Sequence, residues 1–414
     1  MAKETADVAI VGAGIMGLSI AYHLARRSDL RIIVLEKADN VAEGSTGASC
    51  AVLRQRYSFP ESIMVARDGL RTYRDWANFT GIAEPRATFH HTGVLWMMGE
   101  APEQVAAGHA LMAGLGIDVS ILDGDGVKNR FPALSTCNSP VDWTGEIPHE
   151  CGGPDSFLFE EEGGYFDPVS ACQDLAEAIR RDGVDLRFRA KVTNVRVAGG
   201  RVEGVDLADG TSIDAPMVIN ASGPWANQLA KMAGLDLGWS LKPIRAQVVY
   251  REWPDEVPGP LPVIGDESGG IYMRPEAGDS QILFGSIREE DEQEEIIDPD
   301  NFNQNIDAEF RDRKIHALHH RIPALPYRGA ITGVAGLYTV NTEDVYPIVG
   351  PTEIEGFIVC NGFSGHGFKE APSIGSMLAQ WITGRTAEFD TEAPLDFFSI
   401  DRKPHEVEDK VVLA

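Results

Sequence analysis

Two glycine-rich stretches, one near each end of the sequence, have residue types spaced as a phosphate-bearing ligand with a flat ring would need them. Near the start, Gly12-Ala13-Gly14-Ile15-Met16-Gly17 follows a short apolar run. In such a GxGxxG turn the first glycine allows the tight bend. The second lets backbone approach a pyrophosphate, and the third lets helix and strand pack closely. The helix that follows turns its amides and dipole toward the phosphates, so no basic side chain is required. Glu36, with Lys37 beside it, ends the next apolar run about 20 residues later, where a carboxylate can accept from both ribose hydroxyls and disfavour a 2′-phosphate. The pattern predicts a dinucleotide site without separating FAD from NAD.

Near the other end, Gly362-Phe363-Ser364-Gly365-His366-Gly367 has three glycines in six residues, so its backbone can lie flat against an extended ring. Ala371-Pro372 is read as the start of a helix, with proline where its missing N–H costs nothing. Lys369 sits close to that start, where a cation opposes the helix dipole. It needs either an anionic partner or a route to water.

The elements that must hold these residues alternate in character. Residues 7–36 read as strand, glycine turn, helix, strand. A helix over 169–181 leads into strands at 186–197, 201–207 and 217–220, expected as additions to the same sheet. Residues 242–250, 270–274 and 281–287 alternate as antiparallel strands do, and 356–360 followed by a helix over about 372–383 restores the first texture. The predicted class is α/β (α+β overall), a Rossmann-like domain interleaved with a mainly antiparallel β-sheet domain. Residues 1–88, 150–236 and 330–390 fall to the cofactor domain, 89–149 and 237–329 to the substrate domain, and 391–414 to a tail.

Bulk properties narrow the function. The 414 residues exceed one ordinary core, so two domains are expected. A net charge of -27 repels nucleic acid and anionic lipid, and an anionic substrate must find a local basic exception. No stretch reads as a membrane span or signal peptide. The acidic run 289–295 reads as a solvated, mobile loop. Five cysteines (Cys50, Cys137, Cys151, Cys172, Cys360) contain no CxxC pair and read neither as a disulfide framework nor as a zinc site. No metal is expected, and a reducing cytoplasm fits.

Further segments, in their order and spacing, resemble the D-amino-acid oxidase superfamily of FAD-dependent oxidoreductases, closest to its sarcosine oxidase, glycine oxidase and dimethylglycine dehydrogenase branch. They are Gly44-Ser45-Thr46-Gly47-Ala48-Ser49 with Arg54-Gln55-Arg56-Tyr57, Gly163 to Pro168, Ala190-Lys191-Val192, Asn220-Ala221-Ser222-Gly223-Pro224-Trp225, Tyr338-Thr339, Asp344, Pro347 to Gly350 and Asn361 to Lys369. The resemblance spans nearly the whole chain and implies FAD. It puts Ser45, Thr46 and Ser49 along the pyrophosphate and flavin, Val192 against adenine through its backbone, and Ser222, Gly223 and Trp225 among the cofactor residues. For the hydroxyl residues, simple turn chemistry is an equal alternative. Arg54 and Lys369 match the pair that holds a substrate carboxylate. Ion pairing of Arg54 with nearby acids and solvation of Lys369 are the competing roles, and Arg56 is a weaker alternative to Arg54. His366 lies against the flavin in such enzymes, as part of the loop rather than as a base. Tyr272 and Tyr338 are candidate pocket walls.

The resemblance implies removal of hydride from the C–N bond of a small amino acid or N-methylated amino acid, with a primary-amine substrate as the runner-up. Either a homo-oligomer or a role as a flavin-carrying subunit is compatible with it. Two departures matter. The cysteine that tethers flavin before the Tyr-Thr pair is replaced by Gly336-Leu337, and 44–50 contains no histidine for the other known tether, so the FAD is expected to be non-covalent. The lysine that assists oxygen reduction aligns with Leu283, so either oxygen or another electron acceptor completes the cycle.

Overall fold

The computed structural model describes residues 4–406 except 145, 277 and 279. Val8–Val11 and Ile32–Leu35, the apolar runs flanking the first glycine turn, lie side by side in a six-stranded sheet. Its order is Asp185–Arg187, Ile32–Leu35, Val8–Val11, Val218–Asn220, Phe357–Asn361 and Ile348–Pro351; the first five are mutually parallel and the last is antiparallel. Strands covered on both faces are continuously apolar rather than alternating, which made them readable as short runs.

Helices Ile15–Ala25, Pro60–Arg74, Pro168–Arg181 and Gly367–Thr383 belong to one side of this sheet, around Leu18, Ile20, Leu175, Ile374 and Leu378. A second core, with Val195, Val205 and Leu229, packs a four-stranded sheet and helix Ala226–Met232 against the other side. Here the structure departs from the expected single sheet. Asp185–Arg187 and Val218–Asn220 join the parallel sheet, but Val192–Ala198 and Arg201–Leu207 form a hairpin in the separate four-stranded sheet. Arg189, at φ 55, turns the chain between the two. The hairpin strands are exposed on one face, as an antiparallel layer over a core allows.

The remaining strands form an eight-stranded sheet running Ile331–Asn341, Leu241–Glu252, Gln281–Ser286, Ile271–Glu276, Val263–Asp266, Val94–Met97, Phe157–Glu160 and Val119–Leu122. All neighbours are antiparallel except Val263–Asp266 beside Val94–Met97. Helix Ala308–Arg321 covers one face through Phe310, Ala317 and Leu318, packed with Ile264, Met273, Ile282 and Phe284. The other face looks into the main cavity. Among the described residues, no helix is long and apolar enough to cross a membrane.

Two local expectations are corrected. The C-terminal helix begins at Gly367, so Pro372 lies inside it. A proline there leaves the carbonyl four residues earlier without its helical donor. That carbonyl, Phe368 O, takes the Tyr73 hydroxyl instead at 2.6 Å. The acidic run 289–295 is docked rather than loose. Asp291 pairs with Lys314 at 2.6 Å and with Arg313, Glu294 with Arg245 at 3.2 Å, and Glu295 with Lys242 at 3.0 Å. The bases come from one strand, Leu241–Glu252, and one helix, Ala308–Arg321, outside the run, so the run alone reads as solvated.

Candidate active site

A cavity of about 910 Å³ runs between the parallel sheet and the open face of the eight-stranded sheet, and both glycine loops line it. At its first end the chain is shaped for close approach. Gly12 has φ +109, and a Cβ there would lie 2.5 Å from Ala221 O; a Cβ on Gly17 would lie 2.0 Å from Gly12 O. Gly12, Gly14, Ile15 and Met16 line the cavity, whereas Gly17 serves only the packing of turn and helix. Glu36 accepts the amides of Ala13 and Ala38, each at 2.8 Å, which fixes its carboxylate while leaving lone pairs for hydroxyl donors.

Ser45, Thr46, Ser49, Val192, Ser222, Gly223 and Trp225 also line this cavity. Some of their hydroxyls are spent locally. Thr46 Oγ1 accepts the Ile15 amide at 3.1 Å, Ser49 Oγ accepts the Ala51 amide at 3.0 Å, and Ser222 Oγ donates to Asn220 at 2.7 Å. Ser45 Oγ is buried without a partner. Lys37 Nζ stands 3.4 Å from the Trp225 ring centre and pairs with Asp300, which also accepts the Trp225 indole N–H at 3.1 Å. Asp300 belongs to the chain that continues from the acidic run, so residues 299–304 close over this end.

At the second end Phe363, Gly365, His366, Gly367 and Lys369 line the wall, and His366 is the residue at the helix N-terminus. Gly362 does not face the cavity; at φ +79 it makes the turn, with no room for a Cβ beside Leu241 at 2.9 Å. Across from it, a Cβ on Gly336 would come 2.5 Å from the Ala48 methyl, and Thr339 Oγ1 is buried without a partner. A fixed carboxylate, two glycine-rich loops and orphaned hydroxyls at Ser45 and Thr339 fit a bound flavin dinucleotide, whose polar atoms would complete those bonds.

The sequence matches the FAD dependent oxidoreductase family, DAO, over residues 7–381. The chain belongs to that family. Among relatives of this DAO enzyme, FAD-dependent oxidoreductase domain-containing protein 1 of Xenopus laevis is 27% identical, the match covering 92% of this chain and 79% of the relative. Human mitochondrial dimethylglycine dehydrogenase is also 27% identical over 96% of this chain, but that covers only 44% of the longer relative. The solved structure of L-proline dehydrogenase from P. horikoshii superposes with a TM-score of 0.81 at 22% identity, covering 96% of this chain and 97% of the other. The cofactor of this DAO enzyme is FAD.

Beside the second glycine loop of this DAO enzyme lies a buried charge cluster. Arg54 lines the cavity, donates to Arg56 O, and stacks its guanidinium 4.4 Å from the Tyr57 ring centre. Arg56 does not line the cavity and pairs with Glu100, so of the two only Arg54 faces the cavity. Beneath both, fully buried Glu160 accepts the amides of Gln55 and Arg56 at 2.7 and 3.1 Å and the Trp96 indole N–H at 2.9 Å. Burial, then the neighbouring Arg54 charge, bring the Lys369 ammonium down to about 7, against the pull of Glu370, Cys50 and Glu160. Burial, with Lys369 and Arg54, likewise holds His366 well below its usual range, so its imidazole is neutral.

The opposite wall carries Tyr272, whose ring lies across Gly285 where a Cβ would meet its hydroxyl at 2.5 Å. Beside it the Tyr338 hydroxyl donates to Glu292, another cavity residue. Burial pushes the Glu292 carboxyl up to about 7, the hydrogen bond from Tyr338 opposing it. Sequence reasoning missed Glu292, Trp96 and Asp300. Glu292 stands among six other polar residues in a row, and nothing in that run marks it as inward-facing.

Proposed function

We propose that this enzyme oxidises the C–N bond of a small carboxylate-bearing amine, with secondary and tertiary amino acids such as sarcosine, dimethylglycine or proline as the preferred class. The observation that carries the reading is the pair of buried cations, Arg54 and Lys369, facing the cavity at the flavin loop of an otherwise acidic protein. Glu160 and Glu370 lie near these cations, but burial and mutual repulsion still bring Lys369 down, and a substrate carboxylate between the two would relieve that cost. The names of two relatives, a dimethylglycine dehydrogenase and an L-proline dehydrogenase, support the same substrate class.

FAD, when bound, supplies the hydride acceptor. Arg54 and Lys369 hold the substrate carboxylate and so fix where its α-carbon lies. Glu292, poised near neutrality, takes the proton from the substrate ammonium and frees the lone pair that drives hydride departure. His366, neutral and packed edge-on to Tyr57 at 5.4 Å, serves as a wall. The deciding experiment adds sarcosine, dimethylglycine, L-proline, glycine and D-amino acids to the enzyme without oxygen and follows flavin bleaching. Bleaching by none of them, in protein whose flavin dithionite still reduces, would overturn the reading. Formaldehyde release separates demethylation from deamination.

Two pH-active groups of opposite sense share this cavity. Glu292 must be ionised, which makes kcat/KM rise with pH through about 7; Lys369 must be protonated to hold the carboxylate, which makes it fall above about 7. A narrow bell is expected. Glu292→Gln should remove the acid limb, leave the alkaline limb, and lower the maximum about 100-fold. An unchanged acid limb in that variant rules out Glu292 as the proton acceptor.

The electron exit is expected to favour an acceptor other than oxygen. Leu283 lies in register with Tyr250 and Arg274, so no ammonium projects from this position. The Arg274 guanidinium is already committed, to Cys50 O, Pro275 O and Glu276, each at 2.7 Å. With FAD bound, this side of the cavity would therefore offer little uncommitted positive charge to assist oxygen reduction. Stopped-flow mixing of substrate-reduced enzyme with air should give reoxidation slower than turnover with a quinone or dye acceptor.

A further inference from the structure

A long connection outside the cavity gathers four metal-binding side chains that are scattered in sequence. Residues 132–156 join helix Gly124–Arg130 to strand Phe157–Glu160, and their described part contains neither helix nor strand. Irregular connections of this length in a compact domain are uncommon and are usually functional. This one is tied to itself and to the body. The Asn138 amide donates to Gly152 O and its side chain to Pro154 O, both at 2.8 Å, bringing the two limbs together. Ser135 N donates to Arg321 O at 2.8 Å, and the Arg321 guanidinium returns a bond to Ser135 O while pairing with fully buried Asp266.

These ties place Cys137 on one limb, His149 and Cys151 on the other, and His320 at the end of helix Ala308–Arg321. The ligand atoms of Cys137, His149 and His320 all lie within 4.8 Å of one another. Cys137 Sγ is 3.3 Å from His149 Nε2, and the Cys151 thiol is a neighbour of Cys137 just outside that three-residue group. The His149 and His320 rings meet edge to face at 4.6 Å. His320 Nε2 is buried with no hydrogen-bond partner, an uncompensated polar atom of the kind a metal ion would satisfy. A tetrahedral zinc, with bonds of about 2.3 Å to sulfur and about 2.0 Å to nitrogen, holds such ligand atoms roughly 3.5 Å apart.

We propose that Cys137, His149, Cys151 and His320 form a structural site for a soft divalent cation of the zinc class, clipping residues 132–156 to helix Ala308–Arg321. Such a site runs against the sequence expectation that the cysteines form no zinc site, and the test below decides between the two. Two thiolates with two imidazoles suit that class better than calcium or magnesium, which take oxygen ligands. The ligands come from both limbs of a loop and from a helix more than a hundred residues later, so no CxxC or HxxxH spacing announces them. None of the four lines the flavin cavity, so the site is separate from the oxidation chemistry.

The test measures metal by plasma mass spectrometry in holoenzyme kept reduced, incubated with zinc and desalted. About one zinc per chain is expected in the wild type. His149→Ala and Cys151→Ser change exposed residues and should keep full flavin content. Each should raise the zinc concentration for half-occupancy, read by competition with a chromophoric chelator, at least about tenfold, by analogy with the loss seen even when residues that merely support ligands are removed. The doubly substituted Cys137→Ser, His320→Ala chain should retain none. The proposal is overturned if wild-type chains retain no zinc after incubation, if the substitutions leave the affinity unchanged, or if intact mass and peptide mapping of freshly isolated protein find a Cys137–Cys151 disulfide in place of metal.

Discussion

Arg54→Met should yield a protein that keeps its yellow cofactor and loses its grip on substrate. Arg54 is 7% exposed and lies beside buried Lys369, so a carboxylate between them is held away from solvent screening. Removing one partner of such a buried pair costs about 2 to 5 kcal/mol, roughly 30-fold to several thousandfold in affinity. Arg54→Lys should recover only part of this. An ammonium keeps the charge but not the two-point contact or the planar stacking on Tyr57. A second effect separates this account from simple misfolding. Because Arg54 is one of the charges holding Lys369 down, its loss lets the lysine stay protonated to higher pH, and residual binding should persist above pH 7. Titration of the flavin spectrum with acetate, which carries the carboxylate but no amine, reads both effects. Equal acetate affinity in wild type and Arg54→Met would falsify the clamp.

Gly12→Ala should be isolated without FAD. The position needs φ +109, which side-chain-bearing residues avoid at a cost of about 1 to 3 kcal/mol. The added methyl would also sit 2.5 Å from the carbonyl of Ala221, in the strand-end loop that lines the same cavity. The turn must then move, and with it the amides that meet the pyrophosphate. Gly210→Ala supplies the control, since that glycine has φ +87 with nothing near its missing Cβ. It should lose a little thermal stability and keep its flavin. The ratio of flavin to protein absorbance after gel filtration distinguishes the two. Stoichiometric flavin in Gly12→Ala would mean that this turn does not cradle the cofactor.

What could be read from the sequence was what local geometry dictates. Gly12 and Gly17 announce a turn because a Cβ at either would collide with backbone carbonyls, and the apolar strands Val8–Val11 and Ile32–Leu35 announce a sheet covered on both sides. Features that depend on register between distant strands were hidden. Val192–Ala198 could equally have extended the parallel sheet; which edge it pairs with is decided by the turn at Arg189. Arg56 was read as the weaker alternative to Arg54, and in the fold both guanidiniums flank Trp96, at 5.5 and 5.6 Å. Glu100, from a distant loop, draws Arg56 away from the cavity. Glu292 was hidden for the opposite reason: the acids around it suggested solvent, while the bases that dock them lie on two other elements, strand Leu241–Glu252 and helix Ala308–Arg321.

That docked acidic segment also bears on how the cofactor is kept. Asp300 joins the Trp225 indole and the ammonium groups of Lys37 and Lys191, all at the end of the cavity where Glu36 stands ready for a ribose. Anything that occupies that end stabilises the closed segment, and the closed segment in turn bars its departure. Limited proteolysis is therefore expected to cut within residues 289–304 more readily in FAD-depleted enzyme than in holoenzyme, and equal rates of cleavage would show that the segment closes independently of the cofactor.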